Sequence, residues 1–203
     1  QPWPNSKNLS YSLEKIIDSF EDRRFGIDLV FQDIKGKENV VQEYKKLLNP
    51  KRGFYNYYNM IKNLRHAVPV LRILENNDES LESQIEKVKH LDRGVILKLE
   101  FSMGGSAINI AEKSARLFED LIIFVDTGWS KDLLQRESWA SSIIQRVTNT
   151  RSDIELVVAG SSFPDQFINT PPRDTRDLQE RILFSNLVRR HNAATLVYGD
   201  WGS

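Results

Sequence analysis

Apolar, β-branched runs recur along the chain, and each stops at a polar or acidic residue: Phe25–Asp28, Ala67–Arg72, Gly94–Glu100, Asp120–Asp126, Ile154–Ser161 and Ala194–Asp200. A short continuous run of this kind is how a strand buried in a parallel sheet reads. Between the runs the apolar positions return at steps of three and four. Leu13, Ile16, Ile17 and Phe20 predict a helix over Leu9–Phe20, and Leu81, Ile85, Val88 and Leu91 predict another starting at Asp78-Glu79-Ser80. The same spacing predicts helices over Val40–Leu48, Gly53–Leu64, Ala107–Glu119, Leu133–Val147 and Leu178–Arg190, the first ended by Asn49-Pro50. Val95, Leu97, Leu99 and Phe101 fall on one face of their strand, with Ile96, Lys98 and Glu100 on the other. The first strand is expected to run from Phe25 to Phe31, and the tyrosines of 53–64, with Phe54, to pack in the core.

Strands alternating with helices of roughly 10 to 15 residues predict an α/β fold joined by parallel crossovers. Two windings fit: an open doubly wound sheet, or a TIM-barrel-like sheet with about six of its eight strands present. No glycine fingerprint follows the first strand, where the sequence reads Asp28-Leu29-Val30-Phe31, so the barrel-like winding is preferred over a nucleotide-binding one. A single domain over 1–203 is the expectation. In such folds ligands sit beyond the carboxyl ends of the strands, so the polar stops gain interest.

Composition narrows the function classes. Hydrophobic residues make up 40% of 203, enough for one sizeable core. The 28 basic and 28 acidic side chains cancel, which gives no nucleic-acid signal. Cysteine is absent, removing thiolate chemistry and fitting a cytoplasmic setting. No apolar stretch is long enough to predict a membrane span.

The rim residues carry the candidate chemistry. Asp28, Glu100, Asp126 and Asp200 each end a strand, and Arg72 and Lys98 join them if strand parity holds. Lys98, Glu100 and Asp126 are the candidate catalytic residues, because converging carboxylates beside a lysine can bind Mg²⁺ or Mn²⁺ or move protons. Asp28, Arg72, Ser161, Trp129, Tyr198, Asp200 and Trp201 are candidate binding residues around the same mouth. The plainer alternative is internal pairing, Lys98 with Glu100 and Arg72 with Asp126. Ser161-Ser162 after Gly160 is not the Gly-x-Ser-x-Gly elbow and reads first as a turn held by hydroxyls. His66, His90 and His191 fall at the opposite strand ends and read as capping or surface residues.

The succession Phe25-Gly-Ile-Asp-Leu, Ala67-Val-Pro-Val, Gly94-Val-Ile-Leu-Lys-Leu-Glu, Leu121-Ile-Ile-Phe-Val-Asp, Val158-Ala-Gly-Ser-Ser-Phe-Pro and Tyr198-Gly-Asp-Trp-Gly-Ser resembles the phage beta protein family, found in phages and bacteria. The resemblance implies a barrel-like domain of poorly characterised function and no named reaction. Family members usually begin with two further strands, of Tyr-x-Pro-x-Leu-Lys and Pro-Leu-Ile-Glu type, so the chain reads as a fragment. A barrel short of two strands cannot close, and a partner or a second copy covering it is physically reasonable. Two functional readings follow. One is a binding module for a protein partner or homodimer in a phage–host context, working in the host cytoplasm if phage-encoded. The other is a metal-assisted hydrolase or lyase at the barrel mouth.

Overall fold

Helix α1 (Leu9–Phe20) starts where Asn8 is extended and its side chain accepts the Tyr11 N–H at 2.9 Å, an N-cap that replaces a missing intrahelical partner. The computed structural model describes residues 8–30, 36–73, 78–129, 132–162 and 178–200, except the side chains of 78–80 and 200. The chain divides into two compact units, Gln1–Val95 and Ile96–Ser203.

The first unit continues with β1 (Phe25–Ile27), α2 (Glu38–Leu47), α3 (Lys51–Lys62), β2 (Ala67–Leu71) and α4 (Asp78–Leu91). Strands β1 and β2 run parallel, Phe25 opposite Ala67 and Ile27 opposite Pro69. β1 is shorter than the expected run to Phe31. The Asp28 carboxylate takes the Leu29 N–H at 2.8 Å and the Tyr44 hydroxyl takes that of Val30 at 2.8 Å, so the backbone leaves the ladder. Phe31 itself lies outside the described residues. Phe54, Tyr57 and Tyr58 are buried as expected, while Tyr55 is exposed. Tyr57 ties the two strands together, donating to Ile27 O at 2.9 Å and accepting from Val70 N at 2.8 Å. Gln84 of α4 is fully buried and continues the β2 ladder, exchanging hydrogen bonds with the Arg72 backbone N–H and carbonyl.

The second unit holds β3 (Val95–Glu100), a 3-10 turn at Phe101–Met103, α5 (Ser106–Leu117), β4 (Leu121–Asp126), α6 (Leu133–Thr150), β5 (Glu155–Gly160), α7 (Gln179–Arg190) and β6 (Thr195–Asp200). Its strands lie side by side in chain order. β4, β5 and β6 pair in parallel, with Phe124 opposite Val157 and Val157 opposite Val197. Phe101, expected to extend the third strand, belongs to the 3-10 turn, where its ring meets Trp139 edge-on at 5.4 Å.

Parity separates the two faces of this sheet. Leu97, Leu99, Ile123, Val125, Leu156 and Val158 are buried, beneath a helical layer in which Ala107, Ala111 and Ala140 allow close approach and Ile143, Ile144 and Leu187 fill the space. Ile96, Ile122, Phe124 and Val157 on the other face are only partly buried, and Val197 is 37% exposed.

One device recurs in both units. Arg93, just before β3, donates to the carbonyls of Ile61 and Leu64 at the end of α3, at 3.2 and 2.5 Å. Arg151, just before β5, donates to those of Ala115, Phe118 and Glu119 at the end of α5, at 3.4, 2.5 and 3.0 Å. Both satisfy helix-terminal carbonyls with a planar cation. The fold is α/β, its described strands alternating with helices and winding in chain order as in a TIM-type barrel short of eight strands. Among the described residues no helix is long and apolar enough to cross a membrane.

Candidate functional site

The carboxyl ends of β3 and β4 bring the three candidate catalytic residues together. Lys98 and Glu100 share a face of β3, two residues apart, and their charged ends meet at 2.9 Å. Asp126 closes β4 on the same face as Ile122 and Phe124, and its carboxylate lies 3.4 Å from the Lys98 ammonium. The ammonium therefore stands between two carboxylates. It occupies the place that a divalent cation would need.

Asp126 is buried, and burial pushes its carboxyl above the usual carboxylate range. Lys98 and the Gly128 N–H, which Asp126 accepts at 2.9 Å, pull in the opposite direction, while Glu100 adds to the rise. Among the described residues no three His, Asp or Glu side chains gather to hold a metal ion.

Around this cluster the loop after β4 is built onto the end of β5. Thr127 gives both its N–H and its hydroxyl to Ala159 O, each at 2.8 Å, and Ser161 N–H reaches Gly128 O at 3.2 Å. Gly128 has φ 60°, a left-handed conformation that suits glycine. Gly160 is needed for a different reason: a Cβ there would stand 2.7 Å from the Thr127 hydroxyl. The space left beside Thr127, Gly128, Arg136 and Ser161 is about 10 Å³, at the lower limit for one water.

The other sequence candidates are dispersed. Asp28 pairs with the buried Arg72 in the first unit, where Arg72 also donates to Leu29 O at 2.6 Å. Ser161 reaches the rim through its backbone, and Trp129 is half-buried with its carbonyl accepting from Arg136 at 3.3 Å. Tyr198 points to the helical side, against Phe184 with ring centroids 5.5 Å apart and 3.4 Å from a Glu180 oxygen. The side chain of Asp200 and the whole of Trp201 lie outside the described residues.

Sequence reasoning missed Arg136 and Glu180, and read Ser162 only as a hydroxyl holding a turn. Arg136 lies over the Phe101 ring at 3.7 Å and donates to Thr127 O at 2.5 Å, and burial lowers its pKa. Ser162, buried, donates to the Glu180 carboxylate and accepts the Gln179 N–H at 3.0 Å, so it caps α7 from across the loop. Glu180 is itself buried in the first turn of that helix, where the dipole favours an acid. An acid at a helix start was the one available signal, and it is common in solvated helices too. His191 is a capping residue, as expected, at the end of α7, and its buried ring meets the Ser141 hydroxyl at 2.7 Å.

No curated protein and no solved structure matches the chain. A family model does so over residues 1–203: with parallel strands wound in chain order and a charged cluster at their carboxyl ends, this chain belongs to the Beta protein family.

Proposed function

We propose that the protein is a binding module, working in the cytoplasm of a host cell in a phage–host setting, whose second unit takes a protein partner on its partly exposed sheet face. One observation carries this reading. Parallel sheets occur almost only with both faces covered, yet Ile96, Ile122, Phe124, Val157 and Val197 line a face that is left partly open. An apolar face of this kind invites a protein surface of similar character. The charged cluster at its carboxyl end would then set the register of the partner rather than perform chemistry.

The satisfied state of the rim supports the same reading. Lys98 is engaged by both Glu100 and Asp126. The alternative, a metal-assisted hydrolase or lyase using Mg²⁺ or Mn²⁺, needs the carboxylates to face a common cation, and an ammonium already stands there.

The test is a comparison of the intact protein with its Phe124→Glu and Val197→Glu variants, each checked for native circular dichroism. Tagged protein is used for capture from phage-infected cells, and its own association is followed by sedimentation. The reading expects one complex, with a host or phage protein or with a second copy, that both substitutions abolish. Retention of that complex by both variants, or saturable Mn²⁺ heat lost in Asp126→Asn, would turn the assignment to the enzyme.

A further inference from the structure

On the helical side of the second unit, away from the open sheet face, α5, α6 and the end of α7 enclose an open groove of about 790 Å³. That volume lies within the range of small-molecule sites. Its lining is unusual for such a site because Ile108 is the one apolar residue in it, although the stems of the polar side chains add apolar surface. Arg116, Arg146 and Arg190 contribute guanidiniums, Glu112 the one lining carboxylate, and Ser141 and His191 a hydrogen-bonded pair at 2.7 Å.

The positions of the arginines are fixed from behind. Glu112 holds Arg116 at 2.5 Å through one oxygen and Arg146 at 2.9 Å through the other, and Glu137, a buried residue of α6, holds Arg190 at 2.7 Å. Three guanidiniums therefore face two carboxylates, a local excess in a chain whose charges cancel overall. Each guanidinium presents a planar fork of N–H donors, of which one carboxylate oxygen satisfies only part. The arginines remain more than half exposed.

Between the arginines stand neutral polar groups of α6. The Gln145 amide donates to the Asn149 carbonyl oxygen at 2.9 Å and the Ser142 hydroxyl to Ser138 O at 2.9 Å, which leaves the Gln145 oxygen, the Asn149 amide protons and the Ser142 lone pairs to meet a hydroxyl. His191 is held below its ordinary pKa by burial and by the neighbouring Arg190, so it serves as a neutral partner to Ser141 rather than as a further cation.

We infer that this groove is a binding site for a small phosphorylated, hydroxyl-bearing molecule, its phosphate held by Arg146 and Arg190 and its hydroxyls by the side chains of α6. Arginine pairs match phosphate oxygens through two parallel hydrogen bonds, and a row of amides and hydroxyls suits a sugar. The site is separate from the proposed partner surface, and neither inference depends on the other.

Calorimetric titration of the intact protein with ribose 5-phosphate, ribose and inorganic phosphate tests it. Ribose 5-phosphate should bind saturably, inorganic phosphate more weakly, and ribose not at all. Arg146→Ala and Arg190→Ala should each weaken ribose 5-phosphate binding by roughly tenfold or more, as expected for a lost charge-assisted hydrogen bond. Glu112→Gln, which releases Arg116 and Arg146 from their carboxylate, should tighten it, a gain that a purely structural role for Glu112 would not produce. Absence of saturable heat with ribose 5-phosphate overturns the assignment. So does binding that both arginine variants retain while their circular dichroism stays native.

Discussion

Replacing Lys98 by methionine keeps the stem of the side chain and removes its charge from between Glu100 and Asp126. The two contacts are unequal. Glu100 is 53% exposed, so its pairing at 2.9 Å is screened and is worth about 1 kcal/mol or less. Asp126 is 5% exposed, and at an effective dielectric near 20 its attraction to Lys98 at 3.4 Å is about 5 kcal/mol before desolvation. Desolvation of the two groups offsets part of that, leaving a net loss of about 2–3 kcal/mol at neutral pH when only the cation is removed. The pH dependence identifies the cause. Asp126 already titrates above its ordinary 3.8, and without Lys98 its folded pKa rises further. A carboxyl whose folded pKa is raised weakens the fold while ionised, and that penalty fades as the pH falls through the raised value toward the unfolded one. Urea unfolding of both proteins across this range should therefore show a gap that is widest at neutral pH and narrows in acid. The double variant Lys98→Met with Asp126→Asn should recover most of the loss. A gap that is negligible at neutral pH, or equally wide in acid, would show that the ammonium does not neutralise Asp126.

Three further outcomes follow from the second unit. Gly160→Ala places a Cβ 2.7 Å from the Thr127 hydroxyl and should cost about 1–3 kcal/mol, read as a lower Tm by calorimetry. Ser162→Ala leaves the Gln179 N–H and the buried Glu180 carboxylate without their shared hydroxyl, for an expected loss of about 1–2 kcal/mol in chemical denaturation. His191 should titrate below 6.5 in a proton NMR series, because burial and Arg190 both disfavour its charged form. Its contribution to stability is then complete above 6.5 and declines as the pH falls through that value, and His191→Gln should flatten this limb.

The architecture was legible because buried strands and amphipathic helices leave periodicities of their own. β2, β3 and β5 stand where apolar runs end in Arg72, Glu100 and Ser161, within a residue or two. β1 was misjudged because Tyr44 and Asp28 capture backbone groups that a strand would have used, Tyr44 from 14 residues beyond Val30. The Lys98–Glu100 pair was readable from parity on one strand. Its link to Asp126 needed β3 and β4 to be neighbours, which chain-order winding implied. The hydroxyl of Ser162 was readable as holding a turn, but not its partners, and Arg136 and Glu180 were not readable, since each meets groups brought near only by the packing of α6 and α7 on the strand ends. The groove of Arg146, Arg190 and His191 escaped for a related reason: its members look like ordinary polar positions on three separate helices.

The arginine clasps at the amino ends of β3 and β5 bear on how the chain assembles. Each joins a residue late in one helix–strand–helix step to the helix that opened it, about 30 positions earlier. Each step can thus be fastened using its own residues, before any later part of the chain is synthesised. Hydrogen exchange on an Arg151→Ala variant should accordingly show faster opening at the tail of α5, while the tail of α3, latched by Arg93, keeps its protection. A polypeptide emerging from the ribosome would lock in successive ratchet steps, limiting the time during which its sticky strands lie unguarded.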